Sequence, residues 1–93
     1  MPTPARATEI TTRAADQLGK ALARCRALSQ LSQAAVAANA GLRQATVSKA
    51  EQGSPTTQLH TVYALCAALG LELVVRPRQG AKRPMRLEDF IPK

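Results

Sequence analysis

The sequence predicts a small, mainly α-helical domain of four to five helices followed by one β-strand. Three observations carry that expectation. Apolar residues recur at spacings of three and four in successive segments. Serine, glycine and proline fall at the boundaries between those segments. After Gly70 the period changes, and Leu71, Leu73 and Val75 alternate with Glu72, Val74 and Arg76.

Residues 1–13 hold two prolines and little apolar content, and they read as a flexible N-terminal arm. Within the arm, Ile10 in TEITT forms a short strand if something offers it an edge. Helix 1 runs from about Ala14 to near Ser29, with Leu18, Ala21, Leu22, Cys25 and Leu28 on one face. Ser32 is placed to cap a second helix from Gln33 to Ala40, because its hydroxyl can accept from a free first-turn amide. Gly41 ends that helix by supplying a left-handed conformation. A third helix, Gln44 to Glu51, stops before Gly53 and Pro55. A fourth begins after Thr57 and carries Leu59, Val62, Leu65, Cys66 and Leu69 on one face until Gly70. The domain thus spans residues 14–78, and residues 79–93 form a mobile, basic, proline-interrupted tail.

A lone strand leaves its backbone groups unsatisfied, so the segment at 71–76 needs a partner. The expected partner is the same segment of a second copy, which makes Leu71, Leu73, Val74 and Val75 the dimerisation residues. Pairing with TEITT in the arm is the weaker alternative.

Ninety-three residues make one domain with a modest core. Thirteen Lys and Arg against six Asp and Glu give a formal charge of +7, which attracts polyanions, nucleic acid above all. Tyr63 and Phe90 are the only aromatic residues, too few for the stacking platform that single strands require. Cys25 and Cys66 form no CxxC pair and, at apolar helical positions, read as two buried free thiols in a reducing cytosol. No nucleophile–base pair, paired carboxylates, phosphate-cradling glycine loop or metal cluster appears, so the reading is of a non-enzyme with no cofactor and no metal. His60 reads as a surface residue. No apolar run is long enough to span a membrane, and a targeting peptide is discounted at the N-terminus, so the expected location is cytoplasmic, at the bacterial nucleoid.

Gln33 to Gln52 reads QAAVAANAGLRQATVSKAEQ, and it resembles the helix-turn-helix of the phage-repressor-like (XRE) family. Ala37 stands where the two helices nearly touch, and Gly41 stands in the turn. Val36, Ala40, Leu42 and Val47 occupy the inward positions, and the preceding Ser32-Gln33 is typical of the family. The resemblance implies a lambda-repressor-like fold whose second helix of the pair reads the major groove with its N-terminal residues. Arg43 then reads guanine and Gln44 adenine through paired hydrogen bonds, Ala45 meets a thymine methyl group, and Ser48 lies one turn further along. Gln33, Thr46, Lys49, Gln52 and Ser54 are the expected phosphate contacts. The family pattern also implies an ion pair between Arg26, late in helix 1, and Glu51, at the end of the recognition helix.

Ninety-three residues are not expected to hold a ligand-sensing domain as well, which argues against a metabolite-responsive regulator. GLRQATVSKAEQ followed by LGLELVVRP resembles the HipB-type antitoxins over roughly Leu18 to Arg78. That resemblance implies a homodimer on palindromic double-stranded operator DNA, with half-sites about 34 Å apart unless the strand pairing changes the separation. It further implies autoregulation of a type II toxin–antitoxin operon and neutralisation of a HipA-type kinase toxin. In the tail, Met85, Leu87, Phe90 and Ile91 form a candidate docking peptide, or simply a disordered end. The alternatives are a stand-alone phage-type repressor and a basic protein-interaction module without specific DNA reading.

Overall fold

The computed structural model describes residues 9–78 together with Arg86, Glu88 and Ile91. Most of the tail, including Met85, Leu87 and Phe90, and the first eight residues of the arm lie outside the described residues. Four helices are present among them: α1 (Ala15–Leu28), α2 (Gln33–Ala40), α3 (Gln44–Glu51) and α4 (Leu59–Leu69). The fifth helix allowed by the sequence reading is absent from the described residues.

The helix boundaries have identifiable local causes. Ser32 Oγ accepts from the Ala35 amide at 3.0 Å and caps α2. Every helix then closes with the same reversal, in which two successive amides after the last turn reach back to its carbonyls. For α2 these are Gly41 to Ala38 and Leu42 to Ala37; for α4 they are Gly70 to Ala67 and Leu71 to Cys66. The reversal needs a residue with positive φ, which glycine supplies after α2, α3 and α4. After α1 the position is held by Gln30 at φ 59°, where a side chain crowds the backbone. Replacing Gln30 with Gly is therefore expected to raise stability by about 1 kcal/mol, measured by urea unfolding. A fall would mean that the Gln30 side chain makes a compensating contact.

The core forms where α2 packs against both α3 and α4 while α1 closes over α3. Val36, Val47 and Leu65 are fully buried at its centre, with Leu22, Ala37, Ala50, Val62 and Cys66 around them. Burial pushes the Cys66 thiol up from its ordinary value, and the nearby Cys25 adds to the shift. Both cysteines are free, but only Cys66 is buried; Cys25 is half-buried, contrary to the expectation of two buried thiols.

Two residues assigned to buried faces are not buried. Leu28 is 72% exposed and Leu59 is 62% exposed. Each is a terminal residue of its helix, where the chain is already turning and no neighbouring helix covers the side chain. Inward positions missed by the apolar periodicity are Gly19 in the middle of α1, Ala50 near the end of α3 and Thr61 in the first turn of α4.

Beyond Gly70, Leu71 packs against the core, and the chain then runs out over the surface. No backbone hydrogen bond joins residues 72–78 to another described segment. Leu73, Val74 and Val75 are exposed, so both sides of the alternating pattern face outward in a single chain.

Candidate nucleic-acid interface

The turn between α2 and α3 is two residues of connection after Gly41, whose left-handed backbone (φ 69°, ψ 32°) redirects the chain. Only backbone conformation demands glycine here, since a Cβ at Gly41 would meet nothing within 4 Å. Val47 and Ala50 of α3 face the core, which turns Gln44, Ala45 and Lys49 outward. Arg43, the residue at the N-terminal boundary of α3, makes no side-chain capping bond. Arg43, Gln44 and Ala45 are all exposed, and Thr46 and Ser48 are partly so. Neither Arg43 nor Lys49 forms an ion pair among the described residues.

The opposite end of α3 is held hard. Arg26 Nε donates to Glu51 Oε2 at 2.6 Å, and Arg26 Nη2 donates to Glu51 Oε1 at 3.0 Å, a two-pronged ion pair. The third arm of the guanidinium, Nη1, donates to the Leu31 carbonyl at 2.9 Å in the α1–α2 turn. Gln33 Nε2 also donates to Glu51 Oε1, at 3.0 Å. One carboxylate thus fastens α1, the start of α2 and the end of α3 together. Burial alone would push the Glu51 carboxyl up. The hydrogen bonds from Arg26 and Gln33, with the charge of the guanidinium, outweigh it and hold the group below the ordinary carboxylate range.

That shift has a testable sign. A carboxyl with a lowered folded-state value contributes stability that is fully present above the ordinary range and is lost as pH falls through the folded value. The wild-type chain is expected to lose stability relative to Glu51→Gln as pH is lowered below about 4.5. At neutral pH, Glu51→Ala is expected to cost about 1–3 kcal/mol, because it strands a partly buried guanidinium and amide. Chemical unfolding across that pH range reads both, and parallel pH profiles would rule out the clasp as a source of stability.

The expected phosphate contacts are less free than their positions in the sequence suggest. Gln33 is engaged with Glu51, as above. Gln52 Nε2 donates to Ser48 Oγ at 3.2 Å, tying two expected DNA contacts to each other. Ser54 Oγ bonds the Thr56 hydroxyl at 2.9 Å and accepts from the Thr56 amide at 3.3 Å, stabilising the α3–α4 loop. Gln33 joining the clasp was not read from the sequence; a glutamine at a helix start gave no signal that its acceptor lay 18 residues away. Gly19 was also missed, although an isolated glycine inside a helical pattern signals close backbone approach.

Among the described residues, no three His, Cys, Asp or Glu side chains gather where a metal ion would fit. No helix among them is long and apolar enough to cross a membrane.

Two short helices joined by a glycine turn, the second anchored at its C-terminal end and open at its N-terminal end, define a helix-turn-helix protein. The chain belongs to the helix-turn-helix domain family, which matches residues 17–79. Solved structures agree in fold. A complex of a HipB variant with an O2 20mer matches at 27% identity and a TM-score of 0.68, over 72% of this chain and 93% of that chain. A HipA–HipB–O2–O3 complex matches at 25% identity and a TM-score of 0.68, over 72% and 94%. A HipB–O4 20mer complex matches at 25% identity and a TM-score of 0.69 over the same shares. Within its family the chain is therefore similar in fold to HipB. No curated protein sequence matches it.

Proposed function

We propose that this chain is a sequence-specific DNA-binding repressor and the antitoxin of a type II toxin–antitoxin operon. As a homodimer joined through residues 71–76, it binds palindromic operator DNA upstream of its own gene and holds a HipA-type kinase toxin inactive. It acts in the cytoplasm, at the nucleoid, and not as an enzyme.

The observation that carries the DNA-reading part is the exposed first turn of α3. Arg43, Gln44 and Ala45 project from a helix whose far end is fastened by Arg26, Gln33 and Glu51. A recognition helix needs that combination, because base-edge hydrogen bonds discriminate only when the side chains arrive in a fixed register. Lys49 and the +7 charge of the chain supply the attraction to phosphate. The toxin part rests on the likeness to HipB, one of whose similar structures is a complex with HipA.

Fluorescence anisotropy at near-physiological salt tests the first part, with duplex DNA from upstream of the gene against a scrambled duplex. A preference of roughly a thousandfold is expected for the upstream DNA. Equal, salt-labile binding to both would reduce the chain to a basic helical module. Co-expression with the product of the adjacent gene tests the second part: a stable complex with suppressed kinase activity is expected. A specific DNA binder with no such partner would be a stand-alone repressor.

A further inference from the structure

Arg76, in the segment after α4, reaches back to the N-terminal arm. Its Nη2 donates to Thr11 Oγ1 at 2.7 Å, and its Nη1 lies 3.8 Å from Glu9 Oε1. Thr11 is 65 residues away in the chain, so tertiary placement brings the two together. The arm also faces α1: Ile10, Thr11, Thr12 and Arg13 border an open cleft whose other wall is Gln17, Lys20, Ala21 and Arg24.

The segment bearing Arg76 exposes Leu73, Val74 and Val75 consecutively, at 42%, 67% and 81%. Its backbone has no ladder partner among the described residues. A second copy pairing here, as proposed above, makes a two-stranded ribbon. A ribbon of two strands alone is marginal in water, and three or more strands or a helix behind it are needed for independent stability. The run Ile10-Thr11-Thr12 is β-branched throughout, the composition that suits a strand.

We propose that the arm around Glu9–Thr12 is part of the dimer surface. It supports the 71–76 segment from the edge away from the second copy, so that the dimer closes with the arms flanking the central pair. Arg76 positions the arm. The ion pair with Glu9 adds little by itself, since both side chains are more than half exposed. The gain comes from extending the ribbon by a strand on each side and from backing it with α1.

This inference rests on the proposed homodimer, and one set of measurements separates the two. Sedimentation equilibrium of the full chain first fixes the dimer constant. Amide exchange is then followed at concentrations well below and well above it. Exchange at residues 10–12 is expected to slow about tenfold on dimerisation, together with that at 72–76. The full-length variant Thr11→Pro, which removes a backbone donor from the arm outside the helical core, is expected to weaken the dimer about tenfold. A wild-type dimer with unchanged exchange at 10–12 and an unchanged constant in Thr11→Pro would overturn the arm's role while keeping the dimer. A monomer at all concentrations would overturn both.

Discussion

Gly19→Ala is expected to destabilise the protein by about 3 kcal/mol, although the same change in most helices is favourable. Alanine restricts the unfolded chain and improves helix propensity by roughly 1 kcal/mol, so α1 considered alone would gain. Packing reverses the sign. A Cβ at Gly19 would lie 2.6 Å from the Ala50 carbonyl oxygen, 2.7 Å from that of Glu51 and 2.7 Å from the Gly53 nitrogen. All three are backbone atoms at the end of α3, so no side chain can swing aside to make room. Either α1 separates from α3 or the end of α3 shifts, and both disturb the Arg26–Glu51 pair beside them. Urea unfolding checks this, with the midpoint falling and the slope preserved. A midpoint equal to or above the wild-type value would contradict the close approach. On the proposed function, the variant is also expected to bind DNA more weakly than its remaining folded fraction accounts for, because Gly19 seats α3.

The second large effect concerns DNA and follows from the proposed function. Arg43→Ala and Gln44→Ala are each expected to cost about 1–3 kcal/mol in binding to the upstream DNA, roughly 10- to 100-fold. Each should relax discrimination at particular base pairs while leaving binding to scrambled DNA nearly unchanged. Lys49→Ala should behave differently, weakening both DNAs alike and flattening the salt dependence. The side chains of Arg43 and Gln44 are exposed and make no hydrogen bond or ion pair with another described residue, so thermal stability should stay within about 0.5 kcal/mol of wild type. Anisotropy titrations with single base-pair changes across each half-site make the distinction. Graded loss for every cation removed, without positional preference, would favour a charge-driven interaction.

Much of the architecture is legible in the residues because its causes are local. Ser32 caps α2 through a bond three residues along, and Gly41 closes it through its own backbone torsion. Such contacts depend on chain geometry over a few residues, and sequence pattern reports them faithfully. The outward placement of Arg43, Gln44 and Ala45 is legible for a related reason. Val47 and Ala50 commit one face of α3 to the core, and helical periodicity sends the first turn's polar side chains the other way.

What periodicity misjudged lies at helix ends and at a residue without a side chain. Leu28 and Leu59 fit the apolar stripe, but burial needs a neighbour opposite, and helix termini lack one. Gly19 carries no hydrophobic signal at all, yet it sets the distance between α1 and α3.

By itself, then, the sequence determined the helices, the glycine turn, the exposed polar start of α3 with Arg43 at its boundary, and the unpaired strand-like segment, since each follows from short-range preference. The tertiary structure alone decided how these pieces are fastened. Gln33 joining Arg26 on one carboxylate, the backbone contact at Gly19 and the reach of Arg76 to Thr11 all join residues far apart in the chain. Such contacts arise only when packing of the core brings distant segments within hydrogen-bonding distance, and no local pattern encodes where a side chain 65 residues away will come to lie.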